Sequence, residues 1–377
     1  MPTIRRKADG SPVRALGLFS GGLDSMLAAW LLTRQGIEVV ALHAATGFTA
    51  ADQQRALDAL DVGEPFPPPP AAPESVRLAA LELSLPLRVL DLGETLMDLV
   101  LDPPHGWGAN LNPCLDCHGA MLRAAAARLP AEGADFVFTG EVLGQRPMSQ
   151  HGRGLGLVAE LAGLSGRLLR PLSARLLAPT EAEDRGWVDR EGLLGIQGRG
   201  RREQLRLARE AGLTEAPAPA GGCLLTEPAY ASRLWDWIRH APGRRPDARA
   251  RLLLRLGRHF RVDAAHKLVV GRDEDENRLL DRLMPAVPRL EARDHAGPLA
   301  LVERADGTAA WPPDAVLAAM AAAVARYGKG RGEARVVVTA RLGGAVRELE
   351  VAPLAGDADL ASWRIPERFD PRRSDKT

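Results

Sequence analysis

Two constellations in this sequence have the residue types and spacing to do chemistry. The first is Ser20-Gly21-Gly22-Leu23-Asp24-Ser25, which follows the apolar run 15–19 and precedes an apolar stretch of helical length, 26–32. A buried strand that turns through two glycines into a helix builds an anion site. Glycine permits the tight turn, and the backbone N–H groups at the helix start point at a phosphate. The segment holds no Gly-Lys-Ser/Thr and no Gly-x-Gly-x-x-Gly, which excludes the Walker loop and the dinucleotide fingerprint. The second constellation is made of thiols. Cys114 and Cys117 are spaced to face one point from a single turn, and Cys223 follows far downstream in Ala220-Gly221-Gly222-Cys223.

Three cysteines in the whole chain are too few and too oddly numbered for a disulfide framework, so they read as chemistry or packing. Asn112-Pro113 stiffens the approach to Cys114, and the helix start behind the pair is expected to lower the thiol pKa. Three uses stay open. Three thiolates suit a [4Fe–4S] cluster with one iron left open for sulfur. Alternatively, Cys223 carries a persulfide and forms a transient disulfide with Cys117 or Cys114. Zinc with His118 or His105 as fourth ligand is the third use.

Buried strands separated by helical stretches must position these groups. Residues 15–19, 38–45, 87–92 and 135–139 read as strands, with helices between them, over 76–83 for example. Such alternation implies an α/β fold, a doubly wound parallel sheet that binds ligands at the carboxyl ends of its strands. The Ser20 loop, His43, the cysteine segment opening a helix over 119–129, and the turn after Thr139 all fall at that edge. Pro65 to Pro73 reads as an extended surface loop. Residues 168–174, a helix over 201–212 and the Gly221-Gly222-Cys223 loop complete this part.

From Pro246 the character changes. Strands at 267–270, 299–303, 335–340 and 348–351, with an alanine-rich helix over 313–327, predict a separate, smaller α+β domain. Its boundary falls near 240–258. The expected plan is a tail over 1–13, the α/β domain over 14–240, an Arg-rich linker helix over 241–258, the second domain over 259–365 and a tail over 366–377. In the linker, Arg251, Arg255 and Arg258 recur at four- and three-residue steps and would share one helix face. Such a stripe, widened by Arg239, Arg244, Arg245, Arg249 and Arg261, suits RNA phosphates. Lys329 and Arg331 would extend it.

The chain has 377 residues, 46% hydrophobic and 26% charged, with a net charge of +1. That length is enough for two or three domains, and the near-neutral charge alone selects no partner. No apolar run reaches membrane-spanning length and the basic N-terminus lacks a signal-peptide core, which predicts a cytoplasmic protein without membrane contact. His43, His105, His118 and His151 lie near the motif segments, and none is read as a catalytic base.

The Ser-Gly-Gly-Leu-Asp-Ser loop resembles that of the PP-loop ATP pyrophosphatases, the adenine nucleotide alpha hydrolase-like fold. With Asn112-Pro113-Cys114-Leu115-Asp116-Cys117-His118, Thr139-Gly140-Glu141-Val142-Leu143-Gly144-Gln145, Ser149-Gln150, Arg170-Pro171-Leu172 and Gly221-Gly222-Cys223, the order resembles tRNA thiouridine synthases over about residues 14–230. The Gly-Glu-x-Leu-Gly-Gln run is similar to 4-thiouridine synthases and the Asn-Pro-Cys element to 2-thiouridylases. The latter commonly carry an aspartate where this chain has Cys114. A thiol there is what cluster-dependent tRNA thiolases show, so the resemblance favours iron–sulfur.

The resemblance implies an ATP-dependent tRNA sulfurtransferase. Ser20, Gly21, Gly22, Asp24 and Ser25 would hold ATP, joined by His43, Gly140 and Glu141, with Asp24 helping to position Mg²⁺. Cys114, Cys117 and Cys223 would be the catalytic or cluster-binding thiols. Glu141, Gln145, Ser149 and Gln150 would line the substrate side, and Arg251, Arg255 and Arg258 would touch RNA. The partners would be tRNA and a sulfur donor, either a cysteine desulfurase persulfide or free sulfide. The run from Leu268 to Asn277, with Gly297-Pro298, resembles an NFACT-R type RNA-associated domain. The RNA-capturing region that precedes the ATP loop in 4-thiouridine synthases has no room ahead of residue 20, and no cysteine follows Cys223. Rival readings are a PP-loop ligase with an amine nucleophile and an RNA- or ribosome-associated ATP-binding module.

Overall fold

A computed structural model describes residues 3–146, 150–213 and 222–366. The chain divides into two units: residues 1–52 with 69–223, and residues 53–68 with 224–377. The second unit therefore starts ahead of the expected 240–258 boundary, and it includes a segment from the first hundred residues.

In the first unit, β1 (Arg14–Leu18), α1 (Leu23–Arg34) and β2 (Glu38–Ala45) form the opening βαβ. α2 (Ala50–Asp61) begins in this unit and continues in the second, and then come α3 (Glu74–Glu82), β3 (Leu87–Asp91), α4 (Gly93–Leu101) and α5 (Cys114–Glu132). Next are β4 (Phe136–Thr139), α6 (Gly152–Leu161), β5 (Leu168–Leu169), α7 (Glu181–Asp184) and α8 (Arg202–Glu210). The sheet order is β3-β2-β1-β4-β5, and every pair is parallel. The order of strand addition reverses at β1, with β2 and β3 added on one side and β4 and β5 on the other. The crevice beyond the carboxyl ends of β1 and β4 is where such a sheet takes a ligand.

Both faces are covered, which is why the strands are near-continuous apolar runs. Ala15, Val39, Ala41, Phe136 and Phe138 pack with Met26 and Leu27 of α1 and Leu207 of α8. Leu16, Val40, Leu42 and Val137 alternate to the other face, against Leu122 and Ala125 of α5 and Val158 of α6. Burying one such Leu or Phe completely contributes about 1.5–3 kcal/mol. Gly17 has no space for a side chain, because an added Cβ would stand 2.2 Å from the Phe138 ring.

The second unit contains α9 (Pro228–His240), α10 (Ala248–Leu253), β6 (Arg258–Arg261), β7 (His266–Val270) and α11 (Glu274–Leu283). It continues with β8 (Arg289–Ala292), β9 (Ala300–Arg304), α12 (Asp314–Tyr327), β10 (Val336–Leu342), β11 (Ala345–Val351) and α13 (Asp357–Leu360). Its sheet runs β11-β10-β8-β9-β7-β6 and is antiparallel throughout. One face packs on α12 through Leu317, Met320 and Val324. Leu252, Leu253, Leu280 and Leu283 of α10 and α11 cover Val269 and Leu301 on the other, joined by Leu57 and Leu60.

The arginine stripe is overturned here. The linker helix ends at Leu253, and Gly257, at φ +70°, turns the chain into β6, where an added Cβ would meet the Val270 carbonyl oxygen at 2.8 Å. Arg251 lies in the helix and is buried with Leu252, Leu253 and Leu254. Arg258 lies on a strand, donates to Gly271 O at 3.2 Å and stacks over Tyr327 at 4.9 Å. Arg255 is half-buried between them, outside any helix. The apolar run 252–254 outweighs the arginine spacing, so the three share no face. Arg261 and Arg249 are also bound internally, to Asp236 at 2.6 Å and to Leu283 O at 2.5 Å. Among the described residues no helix is long and apolar enough to cross a membrane.

Candidate nucleotide and thiol site

The loop Ser20–Gly22 leads out of β1 directly into α1. Gly21 has φ +72°, and an added Cβ would meet Val76 Cα at 2.9 Å, so glycine is required by both conformation and space. Ser20 Oγ lies 3.3 Å from Ser25 Oγ and accepts from Gly22 N–H at 3.3 Å, while Ser25 Oγ donates to Gly22 O at 2.8 Å. These bonds shape the loop into a cup. The first helical bond is Met26 N–H to Gly22 O at 3.0 Å. The N–H groups of Leu23, Asp24 and Ser25 precede it and have no partner within the helix, as a phosphate cradle requires.

Gly140 is pressed against this helix start. A Cβ there would lie 2.5 Å from Ser25 N and 2.6 Å from Asp24 C, so the end of β4 and the cradle are in backbone contact. Asp24 Oδ2 accepts from Gln145 Nε2 at 3.0 Å, and Asp24 Oδ1 is buried without a partner. An orphaned carboxylate oxygen beside a phosphate cradle fits Mg²⁺. His43, near the end of β2, places Nδ1 3.3 Å from Phe19 O and leaves Nε2 buried without a partner. Burial pushes its pKa down, which outweighs Phe19 O and Asp52 and favours the neutral ring.

Glu141 has both carboxylate oxygens bonded within the protein. Oε2 accepts from Arg170 Nε at 2.9 Å and from Thr139 Oγ1 at 3.1 Å, and Oε1 lies 3.3 Å from His118 Nδ1. Burial opposes its ionisation, but the His118 hydrogen bond and the Arg170 charge outweigh burial and hold the pKa at about 2. Both oxygens are engaged, so Glu141 positions its neighbours. Arg170 also donates to Leu155 O at 2.9 Å. Gln150 closes the following turn by accepting at its carbonyl from Gly144 N–H at 2.7 Å, and its Oε1 is buried without a partner. Ser149 lies outside the described residues.

The thiols approach from the same edge. α5 begins at Cys114 itself, so both Cys114 and Cys117 belong to its first turn, ahead of the expected start at 119. Pro113 is its N-cap residue and accepts at its carbonyl from Cys117 N–H at 2.8 Å. Cys223 pairs by a backbone bridge with Thr49, in the loop after β2. Burial raises the Cys117 pKa well above its usual value, and Cys223, Cys114 and Asp116 raise it further. Burial also raises Cys114, against the charge of Arg146 and a hydrogen bond from Asn112. The expected lowering by the helix start is therefore reversed, because desolvation penalises the thiolate more than the helix start favours it.

Cys117 thus lies within electrostatic reach of both Cys114 and Cys223, and thiols are the soft donors that an iron–sulfur cluster takes. Among the described residues no group of three His, Cys, Asp or Glu is already arranged to hold a metal ion. His105, a candidate fourth zinc ligand, instead pairs through Nδ1 with Asp116 at 2.7 Å, and His118 is turned to Glu141. A continuous path links the two halves of the site: Cys117 adjoins His118, which bonds Glu141, which follows Gly140, which touches Asp24. The His118–Glu141–Arg170 part of that path was missed in the sequence because its members lie 23 and 29 residues apart.

Comparison with known proteins agrees at both ends of the chain. Residues 10–62 match the family model described as "Thiamine biosynthesis protein (ThiI)", and residues 257–364 match "NFACT protein RNA binding domain". A tRNA sulfurtransferase from Desulfurococcus amylolyticus is 49% identical over 45 residues, which are 12% of this chain and 9% of that protein. Among solved structures, a 4-thiouridine synthetase–RNA complex with bound ATP aligns with 57% of this chain and 46% of its own, at 20% identity and a TM-score of 0.36. A predicted subunit of tRNA methyltransferase from Methanocaldococcus jannaschii aligns with 52% of this chain and 75% of its own, at 15% identity and a TM-score of 0.31. The chain thus spans less than half the length of the first of these relatives.

Proposed function

We propose that this protein is an ATP-dependent tRNA sulfurtransferase that replaces a uridine carbonyl oxygen with sulfur. The observation that carries this reading is the convergence, at one sheet edge, of a phosphate cradle with an orphaned carboxylate oxygen and three neighbouring thiols. A carbonyl oxygen is a poor leaving group, so it must be activated before sulfur can displace it. An ATP cradle coupled to soft thiols meets both requirements.

In the first step the uridine oxygen attacks the α-phosphorus of ATP, an O–P bond forms, and pyrophosphate leaves with its electron pair. Helix-start N–H groups, Ser20 and Ser25 orient the phosphates, and Asp24 would hold Mg²⁺, which when bound would offset phosphate charge. In the second step a sulfur nucleophile bonds to the activated carbon and AMP departs. Cys114, Cys117 and Cys223 would hold a [4Fe–4S] cluster, which when bound supplies an open iron for sulfur. The donor is sulfide, or a cysteine desulfurase persulfide whose S–S bond is then cleaved by a second thiol, leaving a disulfide to be reduced by an external thiol. His118, Glu141 and Arg170 keep the first turn of α5 fixed against the end of β4.

The test is a mass-spectrometric profile of thionucleosides in total tRNA from cells with and without the gene. One thionucleoside should vanish, and return with the wild type but not with Asp24→Ala or Cys223→Ser. An unchanged profile would overturn the reading. An amine-using ligase would remain active after Cys223→Ser, and an ATP-binding module would release no pyrophosphate even as wild type.

A further inference from the structure

Within the first unit, the segment from Gly195 to Arg202 reads Gly-Ile-Gln-Gly-Arg-Gly-Arg-Arg. It runs beside the turn that carries Gln145. Leu143 and Gln197 form a parallel bridge, and Gly198 N–H donates to Leu143 O at 2.7 Å. A Cβ added at Gly144 would lie 3.5 Å from Gly198 N. Gln145 in turn bonds Asp24, so this segment adjoins the nucleotide site through a single turn of chain. Arg199 and Arg202 are exposed and Arg201 is half-exposed. Among the described residues none of the three side chains meets a carboxylate or an aromatic ring. Arg146, on the adjoining turn, is exposed too, and its charge reaches Cys114.

Arg202 also lines an open cleft of about 440 Å³, with Leu194, Ile196, Gln197, Gly200 and Glu203. Its volume falls within the range of small-ligand sites. Glu203 is turned to Arg206, and Arg202 makes no ion pair of its own among the described residues. The cleft therefore offers an apolar wall, an amide and a guanidinium without a carboxylate bond. Flat apolar contact takes a base, and guanidinium takes a phosphate.

We propose that the 195–202 segment, with Arg146, takes the phosphodiester backbone of the RNA next to the reacting nucleotide, and that the cleft receives one flanking base. This deepens the sulfurtransferase reading and rests on it for the identity of the RNA. It also gives the first unit its own RNA contact, in place of the overturned arginine stripe.

The experiment measures binding of a fluorescently labelled tRNA transcript to the full chain by anisotropy, across a salt series. The triple variant R199A/R201A/R202A should bind about tenfold more weakly or worse at 0.1 M salt, with a log–log salt slope shallower by roughly 3. The matching lysine triple should retain most of the affinity, which separates charge from folding, and retained ATP binding checks that the alanine triple is folded. Wild-type affinity and slope in the alanine triple would overturn the proposal, as would equal loss in the lysine triple. If the wild type makes no thionucleoside while the alanine triple still loses tRNA, this surface stands and the sulfurtransferase reading falls.

Discussion

In the first unit, Asp24 Oδ1, His43 Nε2 and Gln150 Oε1 are buried without partners in or just beyond strands β1, β2 and β4, and Gln204 of α8 buries Nε2 and Oε1 in the same way. In the antiparallel sheet such atoms lie across its covered face. There Arg261 faces Lys267 in register, Lys267 faces Glu303, and Lys267 Nζ approaches Glu303 Oε2 at 3.1 Å while 1% exposed. Opposite charges set side by side between strands neutralise one another and hold register. A lone carboxylate oxygen at a strand end beside a helix start has no such neighbour, and its natural complement is a ligand. Burial alone does not separate the two cases; the position of the group relative to the sheet does.

The sharpest way to break this comparison is Asp24→Ala. It should lower pyrophosphate release by about a hundredfold or more in a coupled phosphate assay, because it removes the carboxylate that would hold Mg²⁺ against the reacting phosphates. Unchanged turnover would return Asp24 to the structural class. For the antiparallel sheet, Lys267→Ala should cost about 3–5 kcal/mol in urea unfolding, since it strands Glu303, whereas the double replacement Lys267→Met with Glu303→Leu should be nearly neutral. A large loss in the double variant would mean that this pair does more than neutralise charge.

Glu141 sharpens the boundary between the classes, because it is buried and fully paired within the parallel sheet. Its pKa is held at about 2, below the ordinary 4.5, so the folded state gains from its ionisation above pH 4.5 and loses that gain as pH falls toward 2. The loss amounts to roughly 3 kcal/mol. Acid unfolding curves should show it, and Glu141→Gln should flatten that part of the curve while destabilising the protein at neutral pH. Gly140→Ala should cost about 1–3 kcal/mol by forcing the Asp24 backbone away, with a matching loss of ATP affinity by calorimetry. The smallest effect belongs to Arg258→Ala, about 0.5–1 kcal/mol from its ring contact, with tRNA affinity unchanged.

Much of the first unit was legible because its strands are buried on both faces. Residues 38–45 read as a strand from the apolar run 39–42, and the Ser20 loop read as an anion site from glycines set between a strand and a helix. The second unit was harder. Arg258–Arg261 and Arg289–Ala292 are four-residue strands with two charged residues or more each, too short and too polar to show a period of two. The arginine stripe failed because spacing assumes a continuous helix, and the buried leucines with the turn at Gly257 end it first. At the site, the loop and thiol motifs were visible, but the Arg170–Glu141–His118 contacts were not. Pairings between distant segments are set by tertiary packing and leave no local pattern.

Gly140 has a consequence for how this protein can change over generations. Its Cα faces the backbone of Asp24 and Ser25, so even one added methyl group requires two loops to part together. Gly152 and Gly156, with nothing within 4 Å of an added Cβ, impose no such condition. Drift at position 140 is therefore closed while the cradle is in use, and opens only in a lineage that has already abandoned its nucleotide. A population of variants selected for activity should keep glycine there long after neighbouring positions have diversified.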